Sequence, residues 1–270
     1  MTRDTPISEA LHHTTISLDV QGSSSRTNPE KLAMRRILYV AVEEAARFAD
    51  LEYSTWYRED RGDGMLAVVS AEIPKSRILG RWVEGLHRAL RAGNRSMPGV
   101  APVRLRAGIH AGEVHRDSYG VVGADVDIAC RLADAGVAKQ VLATTPAAQL
   151  VVVVSDTVYQ SVVRHGGPYL EPSHYRQVQV SVKELSVPGW LYVPGYTTPP
   201  LPGDPDPGDP AVPWPSPQSV PSPQSVPGPW SVPGLSMIGS VFGPASVIEA
   251  ARAHHQQIGH LYRHDRTDGR

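Results

Sequence analysis

The sequence predicts an α+β sandwich, one sheet with helices packed on one of its faces, over residues 14–195. Three observations carry that prediction. Short β-branched runs are separated by longer stretches whose apolar residues recur at helical spacing. The resulting order reads β-α-β-β-α-β-α-β, with more strands late in the chain. Sixteen of the 25 prolines crowd between Pro194 and Pro244, where a packed core is not expected.

The elements follow in order. Residues 1–13 read as a flexible N-terminus. Thr14–Val20 is β-branched and alternating, hence a strand. Pro29–Asp50 carries Leu32, Ile37, Leu38, Val42, Ala45, Ala46 and Phe48 at helical intervals after a serine-rich loop. Leu51–Tyr57 and Met65–Val69 flank a polar turn containing Asp63-Gly64, a hairpin signal of the type I′ kind. Ile78–Leu90 repeats apolar residues at helical spacing. Val103–Val114 alternates as a strand, and Val122–Val137 reads as one helix. Leu150–Val154 is a buried strand, and Arg176–Val182 with Gly189–Val193 close the sheet. Residues 196–235 read as a disordered proline-rich linker, with Pro-Ser-Pro-Gln-Ser-Val repeated at 215–220 and 221–226. Residues 236–270 form a tail with one short helix, in which Ser246 and Glu249 have capping-box spacing.

Composition narrows the function classes. A net charge of −1 argues against a chain that binds nucleic acid through phosphate contacts. The single cysteine, Cys130, excludes an internal disulfide framework and fits a reducing, cytoplasmic setting. The aliphatic run Leu150–Val154 is far shorter than the roughly 20 apolar residues a membrane span needs. The first residues, MTRDTPISEALHH, lack the apolar core of a secretory signal.

Two stretches point to chemistry. Ser17-Leu18-Asp19-Val20-Gln21-Gly22-Ser23 and Arg61-Gly62-Asp63-Gly64 each put one aspartate near a glycine beside a strand. Two carboxylates held this way can share divalent ions, and such ions on phosphates point to nucleotide chemistry. Each aspartate also has a plainer reading, as a strand-end loop residue or a turn residue.

These segments resemble the class III nucleotidyl cyclase catalytic domain. Ile16–Ser23 is similar to the family's first metal motif, and Gly62-Asp63-Gly64 to its second. Arg104–Val114 resembles the strand and turn before the catalytic helix, and Gly123–Leu132 resembles that helix. The resemblance covers about residues 14–195 and implies a ferredoxin-like βαββαβ core. It implies an enzyme in which Asp19, Asp63 and the Val20 carbonyl hold two ions, Mn²⁺ or Mg²⁺. Arg131 would stabilise the transition-state phosphate. Four residues earlier the family has an asparagine that orients the ribose; here it is Asp127, which could instead form a helical ion pair with Arg131. The adenine-reading lysine and aspartate are replaced by Glu59 and Gly120. Glu59 can accept a hydrogen bond from guanine, uracil or cytosine, and bulky Trp56 and Tyr57 would favour a single-ring base unless they only pack the hairpin. Lys183 lies near a phosphate-binding lysine of the family, or is a solvated strand lysine.

The family further implies a homodimer with composite active sites and a nucleoside triphosphate substrate. The Ala-Gly-Glu-Val-His-Arg-Asp segment at 111–117 is similar to bacterial pyrimidine cyclases of the Pycsar antiphage defence type. Their products, cyclic UMP or cyclic CMP, activate a separate effector. UTP is favoured over CTP here because a carboxylate can accept directly from uracil N3–H. A guanylyl cyclase and a silent nucleotide-binding domain are the alternatives. His110 reads as a structural turn histidine.

Overall fold

The structure is a computed structural model that describes residues 9–182 and 185–204. Strand β1 (Leu11–Val20) leads through a short 3₁₀ turn, Ser23–Ser25, into helix α1 (Asn28–Phe48). Strands β2 (Tyr57–Asp60) and β3 (Gly64–Ser70) form a hairpin. A continuous helical stretch follows: α2 (Lys75–Arg77), a π-helical turn (Ile78–Trp82) and α3 (Val83–Ser96). Then come β4 (Leu105–Arg116), the two-residue β5 (Val121–Val122), α4 (Ala124–Ala133), α5 (Gly136–Thr144), β6 (Leu150–Ser155) and α6 (Asp156–Ser161). Strands β7 (Arg176–Val182) and β8 (Leu185–Tyr192) complete the sheet.

The strand order is β2-β3-β1-β4-β6-β8-β7, with β5 paired to β4. The antiparallel pairs β2–β3, β3–β1 and β1–β4, linked through α1 and α3, make the expected ferredoxin-like βαββαβ core. Strand β6 adds to β4 in parallel. A capping box at Thr27 and Glu30 starts α1, and Met34, Ile37, Leu38, Ala41, Val42 and Ala45 form its buried stripe. Leu32, expected in the core, points away from that stripe and is 71% exposed.

Helices cover both faces of the sheet, not one. Ile16, Leu18, Val20, Leu105 and Ile109 pack with α1 and α3, while Val151, Val153, Val178 and Val180 pack with α5. The reason is β6, whose consecutive valines are buried on both sides: Val152 and Val154 join the first cluster, Val151 and Val153 the second. The helix expected over 122–137 is two. Val121–Val122 pairs with β4, and Ala135 takes an extended backbone (φ −55, ψ 131) between α4 and α5. Fully buried Ala135 thereby turns the chain so that Ala138, Val141 and Leu142 cover the sheet. Helix α4 lies close on β4, because a side chain at Gly108 would come within 2.1 Å of the Ala129 carbonyl oxygen.

The chain ends also differ from expectation. Residues 11–13 extend β1, with His12 opposite Glu113 and His13 opposite Ser70 and Gly112. Tyr196 and Leu201, read as linker, pack on the α5-side cluster, and Arg176 pairs with Asp204. The remaining linker and the tail, like Lys183, lie outside the described residues.

The hairpin turn is built differently from the sequence expectation. Strand β2 starts only at Tyr57; Tyr53–Thr55 is a 3₁₀ turn. The two loop residues are Gly62 and Asp63, closed by an Arg61 N–H bond to the Gly64 carbonyl (3.1 Å). Only the first of them has positive φ (Gly62, 81°), the type II′ pattern, not I′. Asp60 organises this turn. It accepts from the Gly62 N–H (2.8 Å) and from both terminal nitrogens of Arg35 on α1, while Arg35 also donates to the Gly62 carbonyl (2.8 Å).

Two stability predictions follow from these contacts. Arg104 donates to the carbonyls of Leu142, Thr145 and Ala148, tying the end of α5 to the base of β4. Arg104→Met should lower the free energy of unfolding by about 1–3 kcal/mol, measured by urea titration, because part-buried acceptors lose their donors. The Arg35 guanidinium and the Gly62 N–H hold the Asp60 carboxyl well below its ordinary range. A depressed native value means its contribution is full above about pH 5, clear of the unfolded aspartate's ordinary value, and is lost as pH falls from there through the native value. Asp60→Asn should therefore flatten the acid limb of the stability profile between about pH 5 and pH 2.

Candidate active site

Strand register gathers the site. Side chains directly opposite in neighbouring strands share a sheet face. Asp19 is opposite Gly64 on β3 and Arg106 on β4; Ser17 is opposite Leu66; Glu59 is opposite Leu66 and Tyr57 opposite Val68. All therefore project from the face that α4 covers. Asp63 immediately precedes Gly64, and its carbonyl accepts from the Val20 N–H (3.0 Å), which fixes the turn to the end of β1. Asp19 and Asp63 line one cleft of about 260 Å³ together with Arg61, Cys130, Ala133 and Asp134.

The two carboxylates have different partners. Asp63 accepts from Ser23 Oγ at 2.5 Å. Asp19 is ion-paired with Arg106, whose Nε donates to the Ala133 carbonyl at the end of α4 (3.0 Å). Burial pulls the Arg106 guanidinium below its usual value, and nearby Asp134 opposes that shift. A second cleft of about 440 Å³ shares Asp63 and Arg61 with the first and adds Ser23, Ser24, Lys31 and Arg35. Two carboxylates thus adjoin a rim of three cations.

The donor set suits Mg²⁺ or Mn²⁺. Among the described residues no group of three or more His, Cys, Asp or Glu is placed to hold a metal. Two hard carboxylates in one open cleft match an ion that keeps its remaining positions for water and phosphate oxygens, not an all-protein cage. Asp19 and Asp63 would hold it, with Val20 at the strand end between them in the chain.

A second cluster forms beside the hairpin. Tyr57 Oη donates to Glu59 Oε2 (3.3 Å), and Arg61 Nε pairs with Glu59 Oε1 (3.0 Å). Gly120 closes on them: a Cβ there would sit 3.0 Å from the Tyr57 hydroxyl and 3.8 Å from Glu59 Oε2. Burial, then the Glu59 carboxylate, push the Tyr57 phenol up. The Arg116 guanidinium stands 5.1 Å from the Tyr57 ring centroid. Trp56 does not join this cluster. It is 4% exposed and packs against Tyr53 and Trp82 in the core.

Asp127 and Arg131 lie elsewhere. Val126, Ala129, Leu132 and Ala133 are the buried positions of α4, so Asp127, exposed, and Arg131, half-buried, occupy its outward side. Among the described residues their side chains make no ion pair or hydrogen bond, so the i,i+4 pair allowed by the sequence does not form. The first turn of α4 is anchored by Asp125, which accepts from the Glu113 N–H (2.6 Å) and pairs with His110 Nε2 (2.9 Å). His110 Nδ1 in turn meets Ser155 Oγ (2.7 Å). The structure thus brings Asp19 to Asp63 and Tyr57 to Glu59 and Gly120, but not Asp127 or Arg131 to the carboxylate cleft. Sequence reasoning missed Ser23, Arg106 and Lys31. The Arg104-Leu105-Arg106 alternation puts both arginines on one face of the strand but does not say that helices cover it.

No family model matches the chain, and no curated protein matches it. Among solved structures it is similar to an adenylate/guanylate cyclase/hydrolase from Silicibacter pomeroyi, at 18% identity and TM-score 0.51, covering 69% of this chain and 99% of that one. It also matches the guanylyl cyclase Cya2 at 21% identity and TM-score 0.49, covering 69% and 93%. A third match is the guanylate cyclase domain of RhGC from Catenaria anguillulae in complex with GTP, at 15% identity and TM-score 0.46, covering 68% and 97%. The likeness to the Silicibacter pomeroyi protein shows that this domain has a cyclase catalytic-domain fold.

Proposed function

We propose that the chain is a nucleotide cyclase that converts a pyrimidine nucleoside triphosphate, UTP in preference to CTP, to its 3′,5′-cyclic monophosphate and pyrophosphate. The observation that carries this reading is the shared cleft of Asp19 and Asp63, bordered by Lys31, Arg35 and Arg61. It joins acceptors for divalent ions to cations for a triphosphate, as phosphoryl chemistry requires. When bound, the ions would acidify the 3′-hydroxyl and offset phosphate charge.

In the reaction the ribose 3′-hydroxyl gives up its proton to solvent water, the oxygen's electron pair forms the 3′-O–Pα bond, and the bond from Pα to the bridging oxygen breaks, its electron pair leaving with pyrophosphate. Asp19, Asp63 and the Val20 carbonyl would hold the ions, and the cationic rim orients the β- and γ-phosphates. Arg131 grips the α-phosphoryl oxygens as charge grows there. Since Arg131 and Asp127 face away from their own Asp19–Asp63 cleft, they serve the cleft of a second copy, giving a homodimer with two composite sites. Asp127 meets the ribose, and Glu59, with Tyr57 narrowing the space beside Gly120, accepts from uracil N3–H. Lys183 contributes to phosphate binding. The product acts as a second messenger on a separate effector in antiviral defence, in the cytoplasm. GTP is the runner-up substrate, because guanine also offers N–H groups to Glu59.

Purified protein incubated with each NTP and Mn²⁺ should yield cyclic UMP above cyclic CMP, read by mass spectrometry. Product from GTP alone would overturn the pyrimidine assignment, and no product from any NTP would leave a silent nucleotide-binding domain. Asp63→Ala should abolish turnover, and Arg131→Ala should slow it about 100- to 1,000-fold. Mixing the two inactive variants should restore activity, because one composite site in each mixed dimer is intact; no restoration would sink the composite arrangement. Phage protection by the intact locus, lost with Asp63→Ala, tests the defence role.

A further inference from the structure

We propose, resting on the cyclase reading, that Arg106 is a resident counter-ion for Asp19 that the divalent ion must displace, so that metal and triphosphate bind only in concert at that carboxylate. Arg106 and Asp19 are direct partners in the β1–β4 register. Arg106 is 8% exposed, its Nη2 bonds Asp19 Oδ2, and its Nε is fixed to the Ala133 carbonyl. A guanidinium desolvated to this degree is costly to leave without its carboxylate. An ion on Asp19 does that and sets further positive charge beside it. Asp134, whose charge also reaches Arg106, is already paired with Lys139. Relief comes from an anion entering the cleft that Asp19, Ala133 and Asp134 line, and a polyphosphate supplies one.

The two carboxylates are consequently unequal. Asp63 is held by a neutral hydroxyl, Ser23, and can take a cation without orphaning a charge. Asp19 is locked by a cation and opens to metal only as phosphate arrives. By reciprocity, whatever Asp19 loses in metal affinity from Arg106, Arg106 loses in phosphate affinity from Asp19.

Freeing each partner in turn tests the lock. Mn²⁺ alone is titrated into the full chain and the free ion followed by electron paramagnetic resonance; sodium tripolyphosphate alone is titrated in EDTA by calorimetry. Arg106→Met should bind Mn²⁺ alone about tenfold tighter than wild type, and Asp19→Asn should bind metal-free tripolyphosphate about tenfold tighter. Asp63→Asn removes the same charge without releasing Arg106 and should gain clearly less. Circular dichroism and thermal unfolding confirm that each variant is folded, and if Arg106→Met is not, the Asp19→Asn and Asp63→Asn comparison decides alone. A folded variant showing no gain, or equal gains for the two asparagine variants, would overturn the lock while leaving the cyclase reading intact. Wild type that binds no Mn²⁺ even with tripolyphosphate would overturn the cyclase reading itself.

Discussion

The antiparallel seam where β1 meets β3 and β4 sets nearly everything of functional interest. One register aligns Asp19 with Gly64 and with Arg106, and one backbone bond joins Val20 to Asp63. A slip of one residue would turn Asp19 into the α1–α3 core and carry Leu18 out to the cleft. Burial of Ile16, Leu18 and Val20 beneath α1 therefore does more than stabilise the sheet. It dictates that the residues between them, Ser17 and Asp19, look toward α4. The apolar pattern and the acid placement are two readings of a single alternation.

The hairpin turn is held from outside the sheet. Arg35 reaches from α1 to Asp60 and the Gly62 carbonyl, and Ser23 reaches from the β1–α1 connection to Asp63. Both tethers originate within the same 13 residues, so the position of the second carboxylate follows the packing of α1. Surface ion pairs contribute little to stability on their own. Here the pair's value is geometric: it presents one loop aspartate to its counterpart on β1.

Much of this was legible in the sequence. Strong alternation located β1 and β4, and apolar spacing located α1 and α3, because burial on one face imposes a period that propensity alone does not; β6 was legible instead as an unbroken aliphatic run, buried on both faces. The aspartates were readable because each lies next to a strand end. What was not readable came from tertiary compromise. The break at Ala135 depends on filling the space over β6, and an alanine carries no sign of that in sequence. Trp56 could be read as a pocket wall or as a packing residue; Trp82, 26 positions later, decides for packing by drawing it into the core. Arg106 resembled any polar residue of an alternating strand; only the fold reveals that its outward face is covered by α4. The type II′ turn turns on which glycine, Gly62 or Gly64, takes positive φ, and the sequence offers both.

The outermost strand β2 has a consequence for how molecules of this protein can meet. It is four residues long and reads Tyr57-Arg58-Glu59-Asp60, three charges in a row. Such an edge cannot template another strand, because it is too short for a ladder and each added backbone would have to accommodate fixed charges. Continuous sheets running from molecule to molecule are thereby discouraged on that side. The sheet edge that carries the Asp63 turn thus doubles as a guard against edge-to-edge pairing.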